Sequence, residues 1–328
     1  MRIAVIGAGA WGSALATALA DTHEVELWAR DPAQRERLRV ARESSYLVGV
    51  RLADGVAIAT QFEAAVCRAE LVLVVTPSAG LRATLEALVR HVPATPVVWA
   101  CKGLEEGADL LAHEVAAQVL SAEVPRGVLS GPSFALEVAR GLPAALTLAS
   151  PQEEFARSIA RALHQRRLRV YWSTDVAGVE IGGAVKNVMA IATGIADGLR
   201  LGLNARAALI TRGLAEITRL GLARGGRLET FMGLTGVGDL ILTCTGDLSR
   251  NRTVGLALAE GRRLEEILVS LGHVAEGVRT ARSVARSAAR LGIEMPITQA
   301  VVGVLEGTQS PREAVERLLA RDPRDEAP

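Results

Sequence analysis

The feature that most constrains the fold of this chain is a glycine-rich turn close to the amino terminus. The run AVIGAGAWGSALA places Gly7, Gly9 and Gly12 in G-x-G-x-x-G spacing, after an apolar strand-like run and before an Ala- and Leu-rich helical run. In such a unit the first glycine permits a tight turn, the second lets the backbone approach a pyrophosphate, and the third lets helix and strand pack closely. The motif predicts a dinucleotide-binding site in this context, whereas the alternative is a turn that serves packing alone.

The pattern of strands and helices divides the chain into two parts. After the first strand-like run, Arg2–Ile6, further β-type runs alternate with helical patterns; these are EVELWAR, VAIAT, LVLVVTP, PVVWAC, GVLSGP and AALTLAS. This alternation predicts a parallel, doubly wound α/β sheet of Rossmann type. From about Val179 onward, long Ala-, Leu- and Arg-rich stretches have helical period. We therefore predict a dinucleotide-binding domain over residues 1–178 and an all-helical domain that carries substrate and catalytic residues over 179–328.

Composition argues against several functional classes. The net charge is +1 and no long block of one sign occurs, so the sequence indicates neither nucleic-acid binding nor stable membrane association. Its three cysteines and five histidines are widely scattered, which predicts no metal site and fits a reducing cytoplasm. The first twenty residues are similar to a secretory signal, but we interpret them as structural because cleavage would remove the glycine motif.

The end of the second strand should bear on the choice of nicotinamide cofactor. An acidic residue there would bind the ribose 2′-hydroxyl, and an arginine would accommodate a 2′-phosphate. Arg30 and Asp31 are adjacent at this position. We therefore expect the chain to use both NAD and NADP.

Two lysines stand out because arginine supplies nearly all of the basic residues. Of the 37 residues that are Lys or Arg, only Lys102 and Lys186 are lysines. An ammonium group can lose its proton near neutral pH, whereas a guanidinium remains protonated, so a lysine retained against this bias is a candidate functional residue. Lys102 follows an apolar strand, at the edge where doubly wound sheets bind ligands. Lys186 lies in a predicted helix that contains Gly182 and Gly183, which indicate a close approach by another helix or by a cofactor ring.

A third candidate segment follows in GLTGVGDLILTCTGDLSRNR. Its Asp239 could orient a lysine and set its proton affinity. An arginine fork with a neighbouring amide and hydroxyl could bind a phosphate, which makes Ser249, Arg250 and Asn251 candidates for that contact. The alternatives are a helix cap for Asp239 and a solvated loop for the other three residues.

Over nearly its whole length, the sequence resembles the bacterial NAD(P)-dependent glycerol-3-phosphate dehydrogenases. The resemblance rests on GAGAWGSALA, ACKGLE, SGPSFALEVARGLP, the long run from DVAGVEIGGAVKN to LITRGLAEI, GLTGVGDLILTCTGDLSRNR and VAEGVRTA. The chain departs from the family where YLVG replaces a common YLPG, in a loop that bears little on the chemistry.

The resemblance implies reversible hydride transfer between sn-glycerol 3-phosphate and dihydroxyacetone phosphate, with Lys186 as general acid and base. The implied substrate-binding residues are Lys102, Gly131, Ser133, Lys186, Asp239, Ser249, Arg250 and Asn251. The implied cofactor-binding residues, with the glycines above, are Ala10, Trp11, Arg30, Lys102, Ala135, Arg250, Val274 and Glu276. It also implies a role in supplying glycerol 3-phosphate for phospholipids; the oligomeric state stays open, with a homodimer as one option.

Two other functions remain as alternatives at this point. A β-hydroxyacid or 6-phosphogluconate-type dehydrogenase would share the fold and a lysine base but would act on a carboxylate. A nicotinamide-binding sensor without turnover would need the glycine motif but not the lysines, Asp239 or the SRN segment.

Overall fold

The computed structural model describes residues 1–272 and 275–322. Contacts divide the chain into two compact units. The sheet unit comprises Met1–Cys101 and Ala112–Val176, and the helical unit comprises Lys102–Leu111 and the chain from Ala177 onward.

The sheet unit contains one eight-stranded sheet. Its strands are Arg2–Ile6 (β1), Glu24–Trp28 (β2), Val56–Ile58 (β3), Leu71–Val74 (β4), Val97–Trp99 (β5), Arg126–Ser130 (β6), Ala144–Ala149 (β7) and Leu168–Ser173 (β8). The spatial order is β3-β2-β1-β4-β5-β6-β7-β8. The seven strand-like runs of the sequence analysis all form strands, and β8 is an eighth, which was not predicted.

The helices of the sheet unit connect these strands. They are Ala10–Leu19 (α1), Pro32–Val40 (α2), Phe62–Val66 (α3), Leu81–His91 (α4), Ala112–Val119 (α5), Ala135–Ala139 (α6) and Glu153–Leu163 (α7). The core of this unit lies between sheet and helices and is built from Val, Leu, Ile and Ala of the strands, with Leu15 and Leu19 of α1 among the buried helical residues.

The sheet differs from the predicted parallel arrangement at one boundary. β6 pairs antiparallel with β7, while β8 pairs parallel with β7 and the other neighbouring strands pair in parallel. The reason lies in α6, which packs beside Ala10 and Trp11 at the amino-terminal end of α1. That end of α1 lies at the carboxyl edge of the parallel strands, so the chain stays at this edge after β6 and enters β7 in the opposite direction.

The helical unit is built around one long apolar helix. Its helices are Val176–Gly198 (α8), Gly202–Ala223 (α9), Leu228–Phe231 (α10), Asp239–Thr245 (α11), Arg250–Ala259 (α12), Leu264–Leu271 (α13), Glu276–Arg290 (α14), Pro296–Leu305 (α15) and Pro311–Leu319 (α16). By length and composition α8 could cross a membrane, but its apolar window is entirely buried, as expected of a core helix.

The predicted boundary at residues 178 and 179 misplaces one segment. Lys102–Leu111 was assigned to the sheet domain, yet it belongs to the helical unit. The physical reason is that Leu104 and Leu111 are buried in the core of the helical unit, beside residues of α8 and its neighbours.

Candidate active site

The glycine motif has the geometry that a dinucleotide requires. Gly7 has a φ of +114°, and a Cβ there would lie 2.7 Å from the carbonyl oxygen of Val75. A Cβ on Gly12 would lie 1.8 Å from the carbonyl oxygen of Gly7, so only glycine permits this contact between helix and turn. In contrast, a Cβ on Gly9, the N-cap of α1, would meet nothing within 4 Å. The space in front of this helix terminus suits a pyrophosphate.

Three other predicted cofactor-binding residues lie together beside this turn. Ala10 and Trp11 form the first turn of α1, and Ala135 begins α6. All three pack around the buried side chains of Ala14 and Val138. The structure therefore brings residues from distant parts of the sequence to the amino-terminal end of α1.

At the end of β2, the two candidate residues for cofactor choice have different environments. Arg30 is exposed. Asp31 is the N-cap of α2, and its carboxylate accepts hydrogen bonds from the backbone N–H groups of Ala33 (3.1 Å) and Gln34 (3.3 Å). Both residues are exposed, but Asp31 has a structural task as a helix cap that the sequence analysis did not assign.

Polar groups gather where the parallel strands end. Gly131 follows β6 with a φ of +131°, and a Cβ there would lie 3.0 Å from the carbonyl oxygen of Ala145. Ser133 donates a hydrogen bond to the carbonyl of Gly131, at 3.0 Å. In the described part of the chain, the buried hydroxyls of Thr76 and Ser130, after β4 and at the end of β6, have no hydrogen-bond partner. Buried hydroxyls normally find one, so this edge of the sheet fits a polar ligand such as the cofactor.

The two lysines converge on one carboxylate in the helical unit. Lys186, on α8, donates a short hydrogen bond to Oδ1 of Asp239. Lys102 donates to Oδ2 of the same carboxylate, at 2.8 Å. Asp239 is 1 % exposed, and the side chains of Lys186 and Lys102 are 7 % and 15 % exposed. A single buried carboxylate therefore holds both of the chain's lysines.

This arrangement makes Lys186 an unusually weak base. Burial of its ammonium group, with a smaller contribution from the charge of Lys102, lowers its pKa to about 8, although the Asp239 carboxylate acts in the opposite direction. An amine with this pKa can give up and regain a proton near neutral pH, as a general acid and base must.

Asp239 is positioned by a turn that packs closely on α8. Residues Leu234–Gly238 form a single π-helical turn directly before α11, which Asp239 begins. A Cβ on Gly182 would lie 2.3 Å from the carbonyl oxygen of Thr235 in that turn. The close approach that Gly182 allows is therefore to the backbone next to Asp239, and not to a cofactor ring. Such π turns are frequent at functional sites.

The SRN segment begins a helix and is not a solvated loop. Ser249 is the N-cap of α12, and its hydroxyl accepts a hydrogen bond from the backbone N–H of Arg252 at 3.3 Å. Arg250, the first residue of α12, is exposed. Contact of Ser249 and Arg250 with substrate or cofactor stays a prediction.

Asn251 links three helices near Lys186. Its amide donates to the side-chain oxygen of Asn187 at 2.9 Å, and its own oxygen accepts from the backbone N–H of Gly277 at 3.0 Å. The predicted cofactor residue Glu276 begins α14, one residue before Gly277. Val274, predicted for the same role, lies outside the described residues.

Two features that hold this site were not predicted from sequence. Asn187 was visible only as the neighbour of Lys186. The ion pair that the buried Asp109 makes with the half-exposed Arg286 joins residues far apart in sequence, and no local motif marks it. Among residues 1–272 and 275–322, no group of three or more His, Cys, Asp or Glu side chains could hold a metal ion.

Comparison with known proteins gives the same assignment for both parts of the chain. Residues 2–156 match the family model described as NAD-dependent glycerol-3-phosphate dehydrogenase N-terminus, and residues 175–316 match the corresponding C-terminus.

Individual relatives match along the full length. The chain is 58 % identical over 327 residues to "Glycerol-3-phosphate dehydrogenase [NAD(P)+]" of Dechloromonas aromatica (strain RCB), covering 99 % of each chain. It is also 58 % identical over 328 residues to the protein of that name from Aromatoleum aromaticum, covering 99 % of this chain and 100 % of that one. The crystal structure of glycerol-3-phosphate dehydrogenase (gpsA) from Coxiella burnetii superposes with a TM-score of 0.94 at 41 % identity, covering 98 % of this chain and 99 % of that one.

Proposed function

Because this chain belongs to the NAD-dependent glycerol-3-phosphate dehydrogenase family, we propose that it transfers hydride reversibly between sn-glycerol 3-phosphate and NAD or NADP. The product of oxidation is dihydroxyacetone phosphate. The observation that carries the proposal is the Lys102–Asp239–Lys186 arrangement, since a sensor without turnover would not need a buried lysine with a lowered pKa. The full-length similarity also favours this family over the β-hydroxyacid dehydrogenases.

Reduction of the ketone creates negative charge on the C2 oxygen, which needs a proton and a positive charge beside it. The bound nicotinamide supplies the hydride. Lys186 donates its proton to the C2 oxygen, and Asp239 keeps its ammonium group in place. Lys102, held by the other oxygen of Asp239, adds a positive charge that stabilises the developing alkoxide. In the oxidation direction the neutral Lys186 accepts the hydroxyl proton.

The remaining predicted contacts complete the proposal. Gly131, Ser133, Ser249, Arg250 and Asn251 would contact the phosphorylated substrate with Lys102, Lys186 and Asp239. The glycine motif, Ala10, Trp11, Arg30 and Ala135 would contact the cofactor, together with Lys102, Arg250, Val274 and Glu276. We further propose a cytoplasmic homodimer, without stable membrane association, that supplies glycerol 3-phosphate for glycerophospholipid synthesis.

The test is oxidation of NADH and of NADPH, in parallel, by the purified protein with dihydroxyacetone phosphate. We expect both cofactors to be oxidised. Replacing the exposed Arg30 by glutamine should lower the rate with NADPH more than the rate with NADH, because the 2′-phosphate loses its cationic partner. Arg37→Gln, which removes an exposed charge from α2, is the matched control and should leave the ratio of rates unchanged.

Two outcomes would contradict the proposal. Binding of both cofactors without any oxidation would favour the sensor. Turnover of 6-phosphogluconate or β-hydroxyacids, with none of dihydroxyacetone phosphate, would favour the other dehydrogenase class.

A further inference from the structure

The segment that carries Lys102 is fixed to the helical unit at a second point, where the buried carboxylate of Asp109 pairs with two half-exposed arginines. Asp109 has no exposed side-chain surface, and its carboxylate contacts two arginines of α14. Arg286 donates from Nη2 to Oδ1 at 2.5 Å and from Nε to Oδ2 at 3.0 Å, and Nη1 of Arg290 lies 3.1 Å from Oδ2. The two-point contact of Arg286 fixes orientation as well as distance, which a single ion pair does not.

The backbone conformation around Asp109 suits this contact. Asp109 has a φ of +55°, a conformation in which aspartate and asparagine are tolerated better than most residues. The backbone N–H of Glu105 donates to the carbonyl of Leu110 at 2.8 Å, and the N–H of Asp109 donates to the carbonyl of Glu105 at 2.9 Å. Burial raises the pKa of Asp109, but hydrogen bonds from Arg286 and Ser283 outweigh it and leave the pKa below its usual value. The carboxylate is therefore ionised at neutral pH.

Helix α14, which carries Arg286 and Arg290, also contacts the surroundings of Lys186 through its amino-terminal end. The first turn of α14 is held by Asn251, which is hydrogen-bonded to Asn187 beside Lys186. The second half of α14 holds Asp109, on the segment of Lys102. α14 therefore connects the helix of one lysine with the segment of the other.

We propose that Asp109, through Arg286 and Arg290, is a positioning residue that holds Lys102 against Asp239 and so within reach of the charge of Lys186. This proposal rests on the proposed function, in which Lys102 and Lys186 serve one reaction. Without the ion pairs of Asp109, the segment would keep Leu104 and Leu111 in the core but would lose the contact that fixes its orientation. Lys102 would then spend less time beside Asp239.

The consequence can be measured on Lys186 itself. The groups that act on its titration are Asp239 of α11 and Lys102, and the nearby Cys244 thiol stays neutral because burial raises its pKa to about 12. Withdrawal of the Lys102 charge should make Lys186 easier to protonate. Since Lys102 and Lys186 are the only lysines in the chain, protein labelled with ¹³C at lysine Cε gives two side-chain resonances, which the Lys102→Arg variant assigns.

The experiment compares Asp109→Asn and Arg286→Gln with Arg282→Gln. Asparagine keeps the tolerance for positive φ while removing the charge. Arg282 lies on α14 like Arg286, but it pairs with Glu306 at the end of α15 and not with Asp109. In the first two variants we expect the Lys186 titration midpoint to rise by about 0.5 to 1 pH unit. We also expect KM for dihydroxyacetone phosphate to rise by roughly 10-fold, within the loss that an ångström-scale misplacement causes. The Arg282→Gln control should match the unmodified protein.

The outcomes separate this proposal from the proposed function. An unchanged Lys186 midpoint in Asp109→Asn, or an equal change in Arg282→Gln, would overturn the positioning role. A protein that does not turn over dihydroxyacetone phosphate would overturn the function alone, because the titration is read without turnover. Should Asp109→Asn fail to fold, Arg286→Gln decides, since its half-exposed side chain can be replaced without leaving a buried cavity.

Discussion

At the scale of single residues, the site depends on a property that arginine does not have. Asp239 holds two ammonium groups in a buried position, and one of them has its pKa lowered to about 8. A guanidinium in place of Lys186 would keep the charge but could not release a proton near neutral pH. Lys102 has a different task in the proposed mechanism, since it supplies charge and no proton.

The pH dependence of catalysis should follow the protonation of Lys186. Reduction of dihydroxyacetone phosphate needs the protonated lysine, so kcat/KM should be level below pH 8 and fall above it. Oxidation of glycerol 3-phosphate needs the neutral lysine, so kcat/KM should rise up to pH 8 and then level off. Initial rates in both directions across this range, at saturating cofactor, would measure the two profiles.

The matched variant is Lys186→Arg, which keeps the positive charge. We expect kcat to fall by about 10²- to 10⁴-fold, the usual contribution of general acid–base catalysis, and the break near pH 8 to disappear. Near-normal turnover in this variant would exclude Lys186 as the proton donor, and a break that persisted would assign the titration to another group.

At the scale of elements, patterns predicted most strands but not how the chain connects them. The apolar runs predicted seven strands, and the signal is clearest in β1, β4, β5 and β6, which are buried almost throughout. The edge strand β8 alternates buried and exposed residues at its start and has no buried residue among its last three, so its signal is weaker. The reversal at β7 depends on α6 packing against α1, a contact between residues far apart in sequence. The cap on α2 did have a local signal, because Asp31 directly precedes Pro32, a pattern typical of a helix start, and the sequence analysis did not use it.

The turn between β1 and α1 offers a test in which two glycines should behave differently. Gly12→Ala would place a Cβ 1.8 Å from the carbonyl oxygen of Gly7, and we expect the free energy of unfolding to fall by about 1–3 kcal/mol or more. Gly9→Ala meets nothing within 4 Å, so stability should change little. The added methyl group would occupy the space proposed for the pyrophosphate, and NADH affinity should fall at least about tenfold, or about 1.4 kcal/mol.

Urea unfolding and fluorescence titration with NADH measure the two quantities for both variants. Equal loss of stability in the two would show that the turn serves packing alone. Unchanged NADH affinity in a folded Gly9→Ala protein would remove the proposed role of this helix terminus.

At the scale of the whole molecule, the chain does not divide into two continuous segments. The helical unit takes in Lys102–Leu111, although the residues before and after this segment belong to the sheet unit. The later change of unit, between Val176 and Ala177, lies near the composition shift at Val179, because a change from alternating strands to long helices is a property of many residues. The assignment of Lys102–Leu111 to the helical unit could not be predicted in this way. It depends on how Leu104, Asp109 and Leu111 pack against helices that are distant in sequence.

Substitution of Leu111 tests this division in the intact protein. Leu111 is 1 % exposed within the core of the helical unit, so Leu111→Ala should lower the free energy of unfolding by about 2–5 kcal/mol. All four tryptophans lie in the sheet unit, so their fluorescence reports that unit, whereas circular dichroism at 222 nm reports mainly the helical one. We expect the urea midpoint followed by circular dichroism to fall. Leu248→Ala, at a side chain that is 45 % exposed in the same unit, should change it little. A fall confined to the fluorescence transition would instead assign Lys102–Leu111 to the sheet unit. The sheet unit would then be the part of the molecule that positions Lys102.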